Sequence, residues 1–146
     1  PYFISLSNSP YYGAFSPYSG VLSNDRLFKI QSDVIREIAS KESCVIVGRC
    51  ADYVLREHED MTSFFIANTL EERIKELTTR QQISIEKAKE LISKTDKSRA
   101  NYYNFFTNKT WGAASSYDLS INVSVLGIDG TVDFLKQFIE KRKALK

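Results

Sequence analysis

The chain has 146 residues, 26% of them charged and 12% aromatic, and a formal net charge of +2. That balance argues against a disordered chain, which would be poor in aromatics and far from neutral. It also gives no ground for nucleic-acid binding by overall positive charge. A domain of this length buries about two thirds of its unfolded surface, enough for a core without disulfides or structural metal.

Cysteine usage points inside the cell. Cys44 and Cys50 match neither a disulfide framework nor a zinc spacing. No apolar run reaches transmembrane length and no secretory leader is recognisable, so the expected compartment is the cytoplasm and no membrane partner is expected.

Residues 1–24 carry no charge and hold all 3 prolines, with Tyr2, Phe3, Tyr11, Tyr12, Phe15 and Tyr18 among serines. Pro, Gly and Ser at this density disfavour a long helix or a central strand. The segment reads as irregular and aromatic-rich, and a homodimer contact is one use for it. Residues 25–146 read as the folded core.

From Asp25 the pattern becomes helical, with Leu27, Ile30, Val34, Ile35 and Ile38 at three- and four-residue intervals and Asn24 as the expected cap. Cys44 to Val47 is a short apolar strand ending at Gly48-Arg49. Ala51 to Arg56 reads as a short helix. Glu57-His58-Glu59-Asp60 is a polar turn that leaves the single histidine solvated.

Ser63 to Asn68 is a second buried strand. Thr69-Leu70-Glu71-Glu72 forms a capping box for a helix reaching about Arg80. Ser84 caps the next helix, with Ile85, Ala88, Leu91 and Ile92 inward, continuing toward Tyr103. Phe105 to Tyr117 reads as a packed loop around Trp111. Asp118 to Val125 alternates as a third strand, and Gly127 to Lys146 is a closing helix with Asp129 as cap and Val132, Leu135, Phe138 and Ile139 inward.

Helices alternating with short apolar strands imply an α/β fold with a parallel sheet, helices on both faces and right-handed crossovers. Three strands are few for that architecture, which suggests that part of the sheet is missing. In such sheets ligands bind at the carboxyl ends of the strands. Arg49 stands at one of those ends, Arg73 and Arg80 follow the next strand, and Arg99 lies on a later helix with Asp96.

Arginine presents a planar fork of donors that suits phosphate oxygens and stays charged when partly desolvated. Convergent arginines would neutralise a transferring phosphoryl group. The bland alternative is a set of surface or ion-paired arginines, which is favoured for Arg73 and Arg80 taken alone. For Asp96 and Arg99 it is a pair along one helix face.

Cys44-Val-Ile-Val-Gly-Arg-Cys-Ala-Asp-Tyr, the Phe-Phe-Ile-Ala run before Glu71-Glu72-Arg73, the Thr95-Asp96-Lys97-Ser98-Arg99-Ala100-Asn101-Tyr102-Tyr103 block, and Trp111-Gly112 before Tyr117-Asp118-Leu119 occur in that order. Together they resemble the cytidylate kinase-like family over most of the chain from about Asp25. The resemblance implies a three-layer P-loop kinase fold that transfers phosphoryl groups from ATP with Mg2+ to CMP, dCMP or a related nucleoside monophosphate.

Carried over by residue, it implies that Arg49, Asp52 and Asp96 bind the acceptor. Arg73, Arg80 and Arg99 become the catalytic arginines around a lid at about residues 80–99. Ser124 approaches the adenine of the donor.

Two departures accompany the resemblance. Better-known cytidylate kinases have aspartate where Cys50 stands, with Asp52 displaced by two residues, which leaves the acceptor base open. None of the 6 glycines precedes Lys-Ser or Lys-Thr, the pair a phosphate loop needs. The first strand and that loop are therefore expected to be missing, and a non-catalytic module binding nucleotide or phospholigand is the alternative.

Overall fold

The computed structural model describes residues 2–5 and 24–146. The fold is mixed α/β and helix-rich, with two pairs of parallel strands. The chain divides into two compact units, Pro1–Met61 and Thr62–Lys146.

In the first unit, strand β1 (Tyr2–Ser5) pairs in parallel with β2 (Cys44–Val47), Tyr2 against Cys44 and Ser5 against Val47. A strand within the first 24 residues departs from the irregular reading of that stretch. Four residues suffice for a parallel pair, and the prolines at 10 and 17 lie beyond it. The remainder of the aromatic segment, with Gly13 and Gly20, lies outside the described residues.

Helix α1 (Asn24–Lys41) lies between these strands in sequence and packs on β2 and on the short helix α2 (Ala51–Val54). Asn24 is the first helical residue rather than a cap outside it. Ile35 and Ser32 are buried, the Ser32 hydroxyl donating to the Phe28 carbonyl, whereas Ile30 and Val34 are nearly half exposed. The inward stripe is therefore narrower than the apolar periodicity suggests. A mid-helix serine occupies part of it by returning its proton to the preceding turn.

In the second unit β3 (Phe64–Ala67) pairs in parallel with β4 (Leu119–Asn122), Phe64 opposite Leu119 and Ala67 opposite Asn122. At the start of this pair the Asp118 carboxylate accepts from the Ser63 amide at 2.7 Å and the Ser63 hydroxyl at 3.0 Å. Arg142 lies 3.7 Å from the same carboxylate and donates to the Thr62 hydroxyl at 2.6 Å. One carboxylate thereby pins the strand register and the far end of the last helix. Neither role is visible in local sequence, because Ser63 lies 55 residues before Asp118 and Arg142 is on the last helix, 24 residues after it.

Helices α3 (Leu70–Gln81) and α4 (Ile85–Thr107) form an antiparallel hairpin. Thr69 caps α3, its hydroxyl accepting from the Glu72 amide. The other half of the expected capping box is replaced, since the Thr69 amide donates to the Asn68 side chain at 2.9 Å. Gln82, in a left-handed conformation, ends α3, and Ser84 caps α4 by accepting from the Lys87 amide. Helix α4 runs on through Phe105, Phe106 and Thr107, so the loop expected from Phe105 begins three residues later.

Phe65 is the centre of an aromatic cluster, 5.3 Å from Trp111 edge-on and 5.1 Å from Tyr117, which stacks in turn on the buried Tyr103. Such pairs each add about 0.5–1.5 kcal/mol beyond the area they bury. They explain why the stretch around Trp111 is held although it contains only the short 3-10 turn Ala114–Ser116.

The third expected strand is cut short. Asn122 caps helix α5 (Val123–Ala144), accepting from the Ser124 amide at 3.1 Å, so residues 123–125 are helical rather than extended. The helix is broken at Gly127, whose φ of 66° and ψ of −178° no L side chain adopts comfortably. Its two parts explain the later start expected from sequence. Thr131, not Asp129, recaptures the backbone there, its hydroxyl donating to the Gly127 carbonyl. Phe138 meets Phe64 edge-on at 5.8 Å, while Val132, expected inward, is 43% exposed.

Candidate functional site

In the second unit the hairpin brings three of the expected residues together. Arg73, on the first turn of α3, donates from Nη1 to Asp96 Oδ2 and from Nη2 to Asp96 Oδ1, both at 2.7 Å. Arg99 lies one turn along α4 from Asp96, with Nη1 4.0 Å from Oδ1. The bidentate pair joins residues 23 apart, whereas the sequence pairs Asp96 with Arg99 along one helix face. The hairpin overrides the local choice because only a partner facing the carboxylate from another helix can present both guanidinium nitrogens to both oxygens.

Side-chain exposure is 31% for Arg73, 26% for Asp96 and 42% for Arg99. The hydrogen bonds that Asp96 accepts hold the Arg73 guanidinium more firmly protonated than usual, with burial opposing and the carboxylate charge adding. The cluster is thus a partly desolvated site with two cations and one anion, reachable from solvent. Its local excess of positive charge and its planar donors suit a phosphoryl oxygen.

The remaining second-unit candidates are placed differently. Arg80 is two-thirds exposed and pairs with Glu76 one turn back, at 3.3 Å. Ser124 opens α5, its hydroxyl donating to the Asn122 side chain at 2.9 Å. The lid interval, residues 80–99, covers the end of α3, the turn and the first half of α4.

In the first unit β2 ends in three successive residues with positive φ: Gly48 at 72°, Arg49 at 57° and Cys50 at 55°. Two non-glycine residues in this region are held against a cost of about 1–2 kcal/mol each. The turn closes through the Ala51 amide donating to the Gly48 carbonyl, and the Cys50 carbonyl accepts from the amides of Tyr53 and Val54 to start α2. Arg49 and Asp52 are both half-buried.

Cys50 is only 4% exposed. Burial first and Asp52 second push its thiol pKa up to about 12, with Arg49 opposing. A thiol this well enclosed is inert as a nucleophile and is not presented to a base edge. The sequence leaves the acceptor base open at position 50, where better-known relatives carry aspartate; the structure makes Cys50 a packing position.

Among the described residues no group of His, Cys, Asp and Glu could hold a metal ion. No helix there is long and apolar enough to cross a membrane. The described residues therefore offer no cradle that would hold Mg2+ by protein ligands alone.

Comparison with known proteins agrees with the family resemblance. Curated proteins give no match. An uncharacterized protein from Eubacterium ventriosum ATCC 27560, known from its crystal structure, is 31% identical, with a TM-score of 0.77 over 81% of this chain and 74% of that one. The model of the cytidylate kinase-like family matches residues 4–125. That span includes Arg49, Asp52, Arg73, Arg80, Asp96, Arg99 and Ser124, and the chain belongs to the cytidylate kinase-like family.

Proposed function

We propose that this chain supplies the acceptor-side arginines of a phosphotransferase that moves a phosphoryl group from ATP with Mg2+ to a nucleoside monophosphate, CMP or dCMP first. The observation that carries this is the Arg73–Asp96–Arg99 cluster on one helical hairpin. In the second unit Arg73 meets phosphoryl oxygens, Asp96 and Arg99 face the phosphates or the acceptor sugar, and Arg80 serves the lid at 80–99. In the first unit Arg49 and Asp52 contact the acceptor. Ser124 approaches the donor base, and the parent architecture is the three-layer P-loop kinase sheet.

Catalysis here is electrostatic. As the γ-phosphoryl group leaves the donor, charge spreads over its oxygens, and fixed guanidinium donors stabilise it without reorganising at that moment. The residues contribute binding and orientation; the donor phosphates and Mg2+ have no residue assigned to them in this chain.

Isothermal titration with CMP, dCMP, UMP and AMP, followed by a transfer assay with ATP and Mg2+, tests the reading. Binding of one monophosphate that is lost in Arg49→Ala and Arg73→Ala, with transfer to it, is the expected result. Failure of every monophosphate to bind or react sinks it. Binding with no turnover favours the second reading, a regulatory module that binds a nucleotide or phospholigand.

A further inference from the structure

We propose that Asp96 is an internal stand-in for the phosphoryl group, which the ligand must displace from Arg73 and which then transfers to Arg99. The inference rests on the acceptor reading of this cluster. In this structure both terminal nitrogens of Arg73 are taken by the two Asp96 oxygens at 2.7 Å. That planar two-oxygen face is the one a phosphate would present to the same fork. Asp96 also has a second cation within reach, Arg99 at 4.0 Å on its own helix. A small rotation of one carboxylate exchanges partners without leaving it unpaired.

The partial exposure of all three side chains supports exchange over a permanent staple. A pair about 30% exposed is screened by water and loosely held compared with a buried one. A phosphate dianion, with more charge and more acceptor oxygens than a carboxylate, outcompetes it on Arg73.

The location gives the exchange a structural consequence. Arg73 lies roughly 12 Å along α3 from the turn and Asp96 roughly 16 Å along α4, at 1.5 Å per residue. The pair therefore closes the base of the hairpin. Helix α3 has no fully buried residue, and the buried residues of α4 on the turn side of Asp96 are Ala88 and Ile92. Occupancy of Arg73 by phosphate removes a tie between the two helices of the interval assigned to the lid.

The test uses inorganic phosphate as the probe, with no nucleotide. Asp96→Asn should bind it about five-fold more tightly than the parent, the effect of losing a screened competitor worth ~1 kcal/mol. The gain should vanish in an Arg73→Ala background. Unchanged or weaker phosphate binding by Asp96→Asn overturns the exchange and makes Asp96 a positioning residue.

If Asp96→Asn does not fold, the parent protein answers directly. Its Asp96 carboxyl carbon resonance should shift along the phosphate titration, and an unmoved resonance at saturation overturns the proposal. The two readings separate cleanly. Tightening by phosphate with no transfer to any monophosphate removes the kinase reading alone, and transfer without tightening removes the exchange alone.

Discussion

Raising the pH should destabilise this protein through one buried thiol. Cys50 is 4% exposed, and its pKa is raised from 9.0 to about 12, chiefly by burial. The unfolded chain releases that proton near 9.0, whereas the folded chain keeps it to about 12. Between those values the folded state binds more protons, so stability is complete below pH 9, falls as pH rises, and is lost as the pH passes the folded value. The limiting slope is about 1.4 kcal/mol per pH unit, and because it is only half developed at pH 9 the loss between pH 9 and 11 is ~2 kcal/mol. Lysines and tyrosines also titrate in that range, so the readout is the difference between parent and Cys50→Ala in urea denaturation at pH 8, 9, 10 and 11. The variant starts less stable because the turn loses a packed sulfur, and its curve should then flatten relative to the parent. Parallel loss of stability in the two proteins would refute the assignment of Cys50 as a buried neutral group.

Two further outcomes follow from packing. Gly112 has φ of 76°, and a Cβ there would lie 3.2 Å from Phe65 Cζ at the centre of the aromatic cluster. Gly112→Ala should cost roughly 1–3 kcal/mol, which differential scanning calorimetry would read as a melting temperature lower by several degrees; an unchanged value would mean that the ring moves freely. Asp118→Ala removes the acceptor of two Ser63 hydrogen bonds and the partner of Arg142, and should cost roughly 1–3 kcal/mol in urea denaturation. Asp118→Asn, which keeps an acceptor oxygen, should recover most of it, and equal losses would show that charge rather than hydrogen bonding matters there.

Local signals in the sequence located the elements well where one short-range cause dominates. Thr69 and Ser84 are caps because their hydroxyls sit three residues before an amide that needs them. Strands β2 and β3 stand where β-branched and aromatic residues cluster between polar stops. The errors fall where distant residues decide. Residues 123–125 alternate like a strand but are helical, since Asn122 caps them and the parallel pairing with β3 ends at Asn122. Strand β1 exists only through its pairing with β2, about forty residues on. The site shows the same division. Arginine as the informative residue was legible from its chemistry, but the Arg73–Asp96 pair needed the hairpin, because i,i+3 spacing makes Arg99 the obvious partner for Asp96.

The change in meaning of Cys50 bears on how the acceptor would be chosen. Better-known members of the resembling family carry aspartate at this position, and an exposed carboxylate could accept from a base amino group. Here the residue starts α2 from a left-handed conformation with its side chain enclosed. A carboxylate in that space would need a charged partner or a bound proton to offset its lost hydration. Arg49, immediately before it, is the nearest candidate in sequence, and engaging it would draw the guanidinium away from a phosphate. A small neutral thiol avoids that conflict, and Asp52, two residues on and half-buried, is the residue of this turn proposed above to contact the acceptor together with Arg49. On the acceptor reading proposed above, selectivity is better sought at Asp52 than at Cys50, whose side chain is enclosed.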